Sequence, residues 1–198
     1  MTYLKRRVLV PRWERKPSQV KVLANLEADY VHKLVFLGNS GVGKTSLVER
    51  YVYDSLSTEL GRTIGAILHV KWVTYREHKH KLVIWDLGGQ ESFAELREQY
   101  CANATGAFFV FDRTRPETFE DMDAWLTALR AAAGDVPVVV IENKIDLESN
   151  ISEDRVHTEI AKRVLRFVQT SATENKNVEA AFKELVREIH NRIEKLSG

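Results

Sequence analysis

The stretch "FLGNSGVGKTSL", Phe36 to Leu47, concentrates side chains suited to a single chemistry. Gly38, Gly43, Lys44 and Thr45 satisfy G-x-x-x-x-G-K-[ST], the spacing of a loop that cradles phosphates. Glycine lets the backbone approach a ligand closely and leaves N–H groups free to meet phosphate oxygens. A helix starting at the loop adds the partial positive charge of its N-terminus. Gly38, Asn39, Ser40, Gly41, Val42, Gly43 and Ser46 line such a site, Lys44 reaches the β- and γ-phosphates, and the Thr45 hydroxyl coordinates Mg²⁺. A plain strand-to-helix turn has no use for Lys44 and Thr45.

Two further clusters extend that chemistry. In "ENKID", Asn143, Lys144 and Asp146 follow an apolar run. A carboxylate such as Asp146 can accept two hydrogen bonds from guanine N1 and N2, a pair adenine cannot offer. A wrong base leaves that carboxylate unpaired, which makes the site discriminating. In "WDLGGQE", Asp86 can hold the magnesium shell through water, Gly89 can offer its N–H to a γ-phosphate, and Gln90 can orient an attacking water.

These residues need elements to position them. "KLVFLGN" (33–39), "ILHVKWVTY" (67–75), "KLVIWDL" (81–87), "GAFFVFD" (106–112), "VPVVVIENK" (136–144) and "FVQTS" read as strands. The second and third form a hairpin around a polar "REHKH" turn. Helices are expected at 44–53, 117–133 (ended by Gly134), 153–165 and 178–196. Apolar strands alternating with helices imply a mostly parallel sheet covered on both faces. All three clusters then fall at strand carboxyl ends, where ligands of such sheets bind.

Composition sets the limits. The chain has 198 residues, 44% of them hydrophobic and 29% charged, and a net charge of +1. Residues 1–24 hold seven basic side chains against Glu14 alone, +6, so the remainder is −5. The body thus has no nucleic-acid footprint. Tyr3, Leu4, Val8, Leu9, Val10 and Trp13 interleave with the basic residues, which suits at most weak, reversible contact with an anionic membrane through a basic extension over 1–31. Met1 precedes Thr2 and the chain ends "KLSG", so neither of the usual lipid signals is expected, and a cytoplasmic location with at most peripheral membrane association follows. The single Cys101 reads as a core thiol. His78 and His80 read as a solvated turn rather than a metal site, His69, His157 and His190 as isolated, and Trp72 and Trp125 as packing residues.

The order of these segments resembles the Ras superfamily of small GTPases over about residues 32–196. "TIG", "IWD" and "FEDMDAWL" look Rab-like, whereas "DLGGQE" is more similar to the Arf group. The resemblance implies an α/β, three-layer P-loop NTPase fold, a mostly parallel six-stranded sheet with one antiparallel edge strand, as a domain over 32–198. It implies GTP/GDP and Mg²⁺ as ligands, and effector, exchange and GTPase-activating proteins as partners. It makes Thr63 the switch I threonine that senses Mg²⁺ and γ-phosphate, and places the Ser171 and Ala172 backbone near the guanine. Lys44, Thr63, Gly89 and Gln90 become the catalytic set; Thr45, Thr63 and Asp86 hold the metal.

Three residues depart from the family pattern. Leu56 stands where an aromatic packs on the guanine, Leu60 replaces a switch I tyrosine, and Thr173 replaces the lysine of S-A-K. Tyr51 or Tyr53 would have to compensate for Leu56. Trp85 is read either as a packing residue or as part of a partner surface with Ile64, Leu68 and Tyr100. Arg62 and Arg113 match no family pattern for a cis arginine finger. The competing class is a nucleotide-binding pseudo-GTPase acting only as an interaction module; Gln90, Thr63 and Gly89 are all retained, which favours the enzyme.

Overall fold

The computed structural model describes residues 28–56, 66–87 and 94–197. The basic extension up to residue 27, and Leu60, Arg62, Thr63, Ile64, Gly89 and Gln90, lie outside the described residues.

Six strands form one sheet in the order β2-β3-β1-β4-β5-β6: β1 Tyr30–Leu37, β2 Ala66–Tyr75, β3 His78–Leu87, β4 Gly106–Asp112, β5 Val138–Asn143 and β6 Arg166–Thr170. Only β2 and β3 pair antiparallel; β1 pairs in parallel with both β3 and β4, as do β4 with β5 and β5 with β6. The expected mostly parallel sheet with an antiparallel edge strand is therefore present. β1 begins at Tyr30, so the sheet takes in two residues ahead of position 32.

Alternation along the strands splits the core in two. Leu34, Phe36, Phe108 and Val110 face helices α1 (Lys44–Tyr53) and α6 (Val178–Ser197), meeting Leu47, Val48, Phe182 and Leu185. Val35, Leu37, Phe109 and Phe111 face α4 (Met122–Ala133) and α5 (Glu153–Lys162), meeting Trp125, Leu126, Leu129 and Ile160. Phe182 anchors the first layer. It touches Phe36 and Phe108 and stacks on Tyr51 with centroids 3.5 Å apart and planes at 7°. Emptying that position would cost roughly 3–5 kcal/mol.

Four local expectations change. α2 (Ala94–Cys101), ending in the buried Cys101, lies outside the expected helices. The expected 117–133 helix is two pieces, α3 (Glu117–Glu120) and α4, separated at Asp121. The hairpin turns on Arg76 and Glu77 alone, with φ of 45° and 67°. A two-residue turn with both φ positive matches the twist of paired strands, and it draws His78 and His80 into β3. His80 is therefore fully buried rather than solvated. Trp72, read as a packing residue, stands exposed on the edge strand β2, whereas Trp125 is buried.

Candidate nucleotide site

The loop between β1 and α1 is built for close approach. A Cβ on Gly38, at φ 125°, would lie 2.1 Å from the Val110 carbonyl oxygen, and one on Gly43 would lie 2.3 Å from Asn143 Nδ2. Gly43 at φ 97° precedes α1 without any side-chain cap, so capping does not consume the helix's first N–H groups. α1 therefore offers the positive end of its dipole to an anion.

Lys44 curls back over this loop and donates from Nζ to the carbonyls of Gly38 at 2.7 Å and Asn39 at 2.8 Å. Asn39 in turn donates from Nδ2 to Asp121 at 2.6 Å, and its Oδ1 accepts from Trp125 Nε1 at 2.9 Å. The loop is thus held from α4 as well as from β1.

Beneath it, Thr45 Oγ1 donates to Asp86 Oδ2 at 2.6 Å, while the buried Asp86 Oδ1 has no hydrogen-bond partner among the described residues. Burial pushes the Asp86 carboxyl up, against the opposing pull of the Thr45 hydrogen bond and Lys44. An unsatisfied buried carboxylate oxygen beside a hydroxyl is a poor resting arrangement for the protein alone. A hard divalent cation, directly or through water, would remove that defect, and the all-oxygen donor set suits Mg²⁺.

The second loop follows β5. Asn143 donates from Nδ2 to the Val42 carbonyl at 2.9 Å and accepts at Oδ1 from Thr170 Oγ1 at 3.0 Å, so it braces the phosphate loop against β6. Lys144 sits at φ 67°, a backbone conformation that non-glycine residues adopt at a cost and that clusters at ligand sites. Its Nζ meets Asp112 Oδ2 at 2.6 Å. Asp146 is exposed. Ser171 and Ala172 are buried; Arg50 fixes this turn by donating to the carbonyls of Ala172 at 3.0 Å and Thr173 at 3.3 Å.

The structure thus brings together Gly38 to Ser46, Asp86, Asn143, Lys144, Asp146, Ser171 and Ala172 at the carboxyl ends of β1, β3, β5 and β6. Thr63, Gly89 and Gln90 lie outside the described residues. A sequence model of the Ras family matches residues 33–191. Over 178 residues the chain is 37% identical to the Ras-related protein RABA4b of Arabidopsis thaliana, covering 87% of this chain and 78% of that protein. It is 36% identical to the Ras-related protein Rab11A of Lotus japonicus over 180 residues, 88% of this chain and 78% of that protein.

The chain belongs to the Ras family. It is a Rab-like small GTPase, and the family brings guanine nucleotide and Mg²⁺ binding and GTPase activity in general, together with effector, exchange and activating partners.

Against that identity, Tyr51 is unavailable as a substitute for the missing aromatic, because it is buried against Phe182. Tyr53 is exposed, with its hydroxyl 3.1 Å from His69 Nδ1. Arg113 points away from the phosphate loop: it pairs with Glu142 at 3.2 Å and Glu153 at 3.7 Å and donates to the Ile145 carbonyl. Trp85 is half-buried, 6.1 Å from the Tyr100 ring, with Leu68 exposed on β2 beside it. Among the described residues no helix is long and apolar enough to cross a membrane.

Sequence reasoning passed over Asp112 and Arg115. The one available signal was a carboxylate closing the otherwise apolar run "GAFFVFD".

Proposed function

We propose that this small GTPase binds GTP at the loops described and hydrolyses it slowly to GDP and phosphate, changing partners as the γ-phosphate is lost. Lys44 and the backbone N–H groups from Gly41 to Thr45 take the phosphates. Asp146 takes the guanine edge, with the Ser171 and Ala172 backbone beside the base. Thr45 and Asp86 hold Mg²⁺, Asp86 through water, and Thr63 completes the shell from switch I. Bound Mg²⁺ supplies neutralisation of charge on the β- and γ-phosphates. Gln90 orients the attacking water and Gly89 meets the γ-phosphate, so switch II senses the same group.

The observation that carries this reading is the Thr45–Asp86 pair with its unsatisfied Asp86 oxygen. With Arg113 turned away and no cis arginine assigned, intrinsic turnover is expected on the order of 10⁻⁴–10⁻³ s⁻¹. Single-turnover hydrolysis of bound GTP tests it. Gln90→Leu should slow hydrolysis while leaving GDP affinity nearly intact. No hydrolysis by the wild type would favour the pseudo-GTPase, a binding module only.

Residues 1–31 are proposed as a basic extension ahead of a GTPase domain over 32–198. A surplus of six charges contributes at most ~6 kcal/mol at an anionic leaflet, before ordering costs. Contact should therefore be reversible, with the chain mainly cytoplasmic. Flotation with phosphatidylserine vesicles at low and physiological salt tests this: salt-sensitive flotation is expected, and tight binding at high salt would contradict it.

A further inference from the structure

β4 lies between β1 and β5 in the sheet. Its carboxyl end therefore sits between the phosphate loop, which follows β1, and the base loop, which follows β5. The residue there is Asp112, whose carboxylate is buried. Its two oxygens divide the contacts. Oδ1 accepts from the Thr114 backbone N–H at 2.9 Å and the Thr114 hydroxyl at 2.7 Å. Oδ2 accepts from Lys144 Nζ in the base loop at 2.6 Å and from Arg115 Nε at 3.2 Å.

The guanidinium of Arg115 continues the chain of contacts. Its Nη2 donates to the Ser40 carbonyl in the phosphate loop at 2.9 Å. Ser40, Arg115, Asp112 and Lys144 thus form an unbroken polar strap from one loop to the other. Although burial alone would raise the Asp112 carboxyl, hydrogen bonds from Lys144 and Thr114 hold it below its ordinary range, so it remains the anion that both cations need.

Peptide geometry gives the strap its consequence. In a trans peptide the carbonyl of one residue and the N–H of the next point in opposite directions. A guanidinium that holds the Ser40 carbonyl toward the β4 side therefore turns the Gly41 N–H the other way. Asn143 does the same to the Val42 carbonyl and the Gly43 N–H. With Lys44 taking the Gly38 and Asn39 carbonyls, four of the loop's carbonyls, Gly38, Asn39, Ser40 and Val42, are held by side chains, which favours its N–H groups as the set that faces an anion. A loop ordered in advance avoids paying for that order on binding.

We infer that Arg115 is a positioning residue for guanine-nucleotide binding, bracing the phosphate loop against the base loop through Asp112. The inference rests on the nucleotide-binding reading above. Arginine is required because its planar fork donates to a carboxylate and a carbonyl at once, which a lysine ammonium at one point cannot reproduce.

The test is release of a fluorescent GDP analogue from the full chain in Mg²⁺, for wild type, Arg115→Lys and Arg115→Ala. Arg115 is partly exposed, so neither change empties the core. Arg115→Ala should speed release about tenfold and Arg115→Lys about threefold, the order expected for losing all or part of a charge-assisted contact. Preference for GDP over IDP, which lacks the exocyclic amino group, should stay within about twofold of wild type, because Asp146 is untouched. Unchanged release in Arg115→Ala would overturn the inference, as would wild-type release in Arg115→Lys. A collapse of GDP-over-IDP preference would also overturn it, by showing general loosening. Failure of the wild type to load GDP at all would instead overturn the nucleotide reading itself.

Discussion

The two ends of the sheet bury polar groups in opposite ways. At the carboxyl ends, Lys44, Asp86, Asp112 and Asn143 are buried as charges and amides, held by hydrogen bonds that cross between loops. At the amino ends the buried polar groups are imidazole rings. His32 Nε2 and His80 Nδ1 share a hydrogen bond of 2.7 Å, and Tyr30, Tyr75 and His190 pack around them at centroid separations of 5.1 to 6.4 Å. A charged end is stabilised further by a charged ligand. An end whose buried His32 and His80 resist protonation loses stability when they acquire charge, so the two ends should respond to different perturbations.

The largest effect belongs to the carboxyl end. Lys44→Ala should weaken GDP binding by about 100-fold or more, because it removes an ammonium from the loop. Isothermal titration reads this directly, and the acid response of the amino end should be unaltered.

Acid should act on the amino end next. Burial, then the neighbouring charges of His80 and His190, holds His32 down to about 4, and burial with His190 and His78 lowers His80. His32 therefore stays neutral in the fold until pH nears 4, and His80 takes a proton less readily than it would unfolded, whereas the unfolded chain takes up protons below about 6.5. Stability is therefore intact above pH 6.5 and declines as pH falls toward 4, by roughly 2–3 kcal/mol for His32 at pH 4.5. The facing groups are His78 and Asp29 from the strand starts, Arg76 from the hairpin turn, and Glu194 from α6. Denaturant unfolding of wild type and a His32→Leu/His80→Leu double variant, at pH 7 and 4.5, should show the acid loss shrinking in the variant. Equal losses would place the sensitivity elsewhere.

These ends were not equally legible in the sequence. The phosphate and base loops are contiguous motifs whose residue types carry their own chemistry, so Lys44, Thr45, Asn143 and Asp146 could be named without the fold. The histidine layer joins residues 32, 80 and 190, which are strangers in sequence. It also depends on a hairpin turn made by Arg76 and Glu77 instead of the Asn-Gly that would have announced it. Arg115 escaped for a related reason: its partner is a backbone carbonyl 75 residues away, and a carbonyl has no residue type. Tyr51 as a base-covering ring failed because packing against Phe182 claimed it first.

A smaller effect is expected at Leu56. Restoring an aromatic should add roughly 0.5–1.5 kcal/mol of ring contact, slowing GDP release by about 2- to 13-fold in Leu56→Phe. Release that is unchanged or faster would mean another side chain already covers the base. The smallest should come from Arg76→Ala. Its partner Glu194 is as exposed as it is, so the loss should stay within about 1 kcal/mol in urea unfolding at pH 7. A larger loss would show that this pair clamps α6 onto the histidine layer.

The central claim is that the carboxyl ends form a guanine-nucleotide site whose base choice resides in Asp146. Nucleotide competition measures it most directly, with GTP, ATP and XTP displacing fluorescent GDP from wild type and fluorescent XDP from Asp146→Asn. The wild type should prefer GTP and reject ATP, and Asp146→Asn should shift preference toward XTP, since the amide offers a donor where the carboxylate only accepts. Comparable displacement of GDP by ATP and GTP, or an Asp146→Asn protein that keeps wild-type preference, would contradict it.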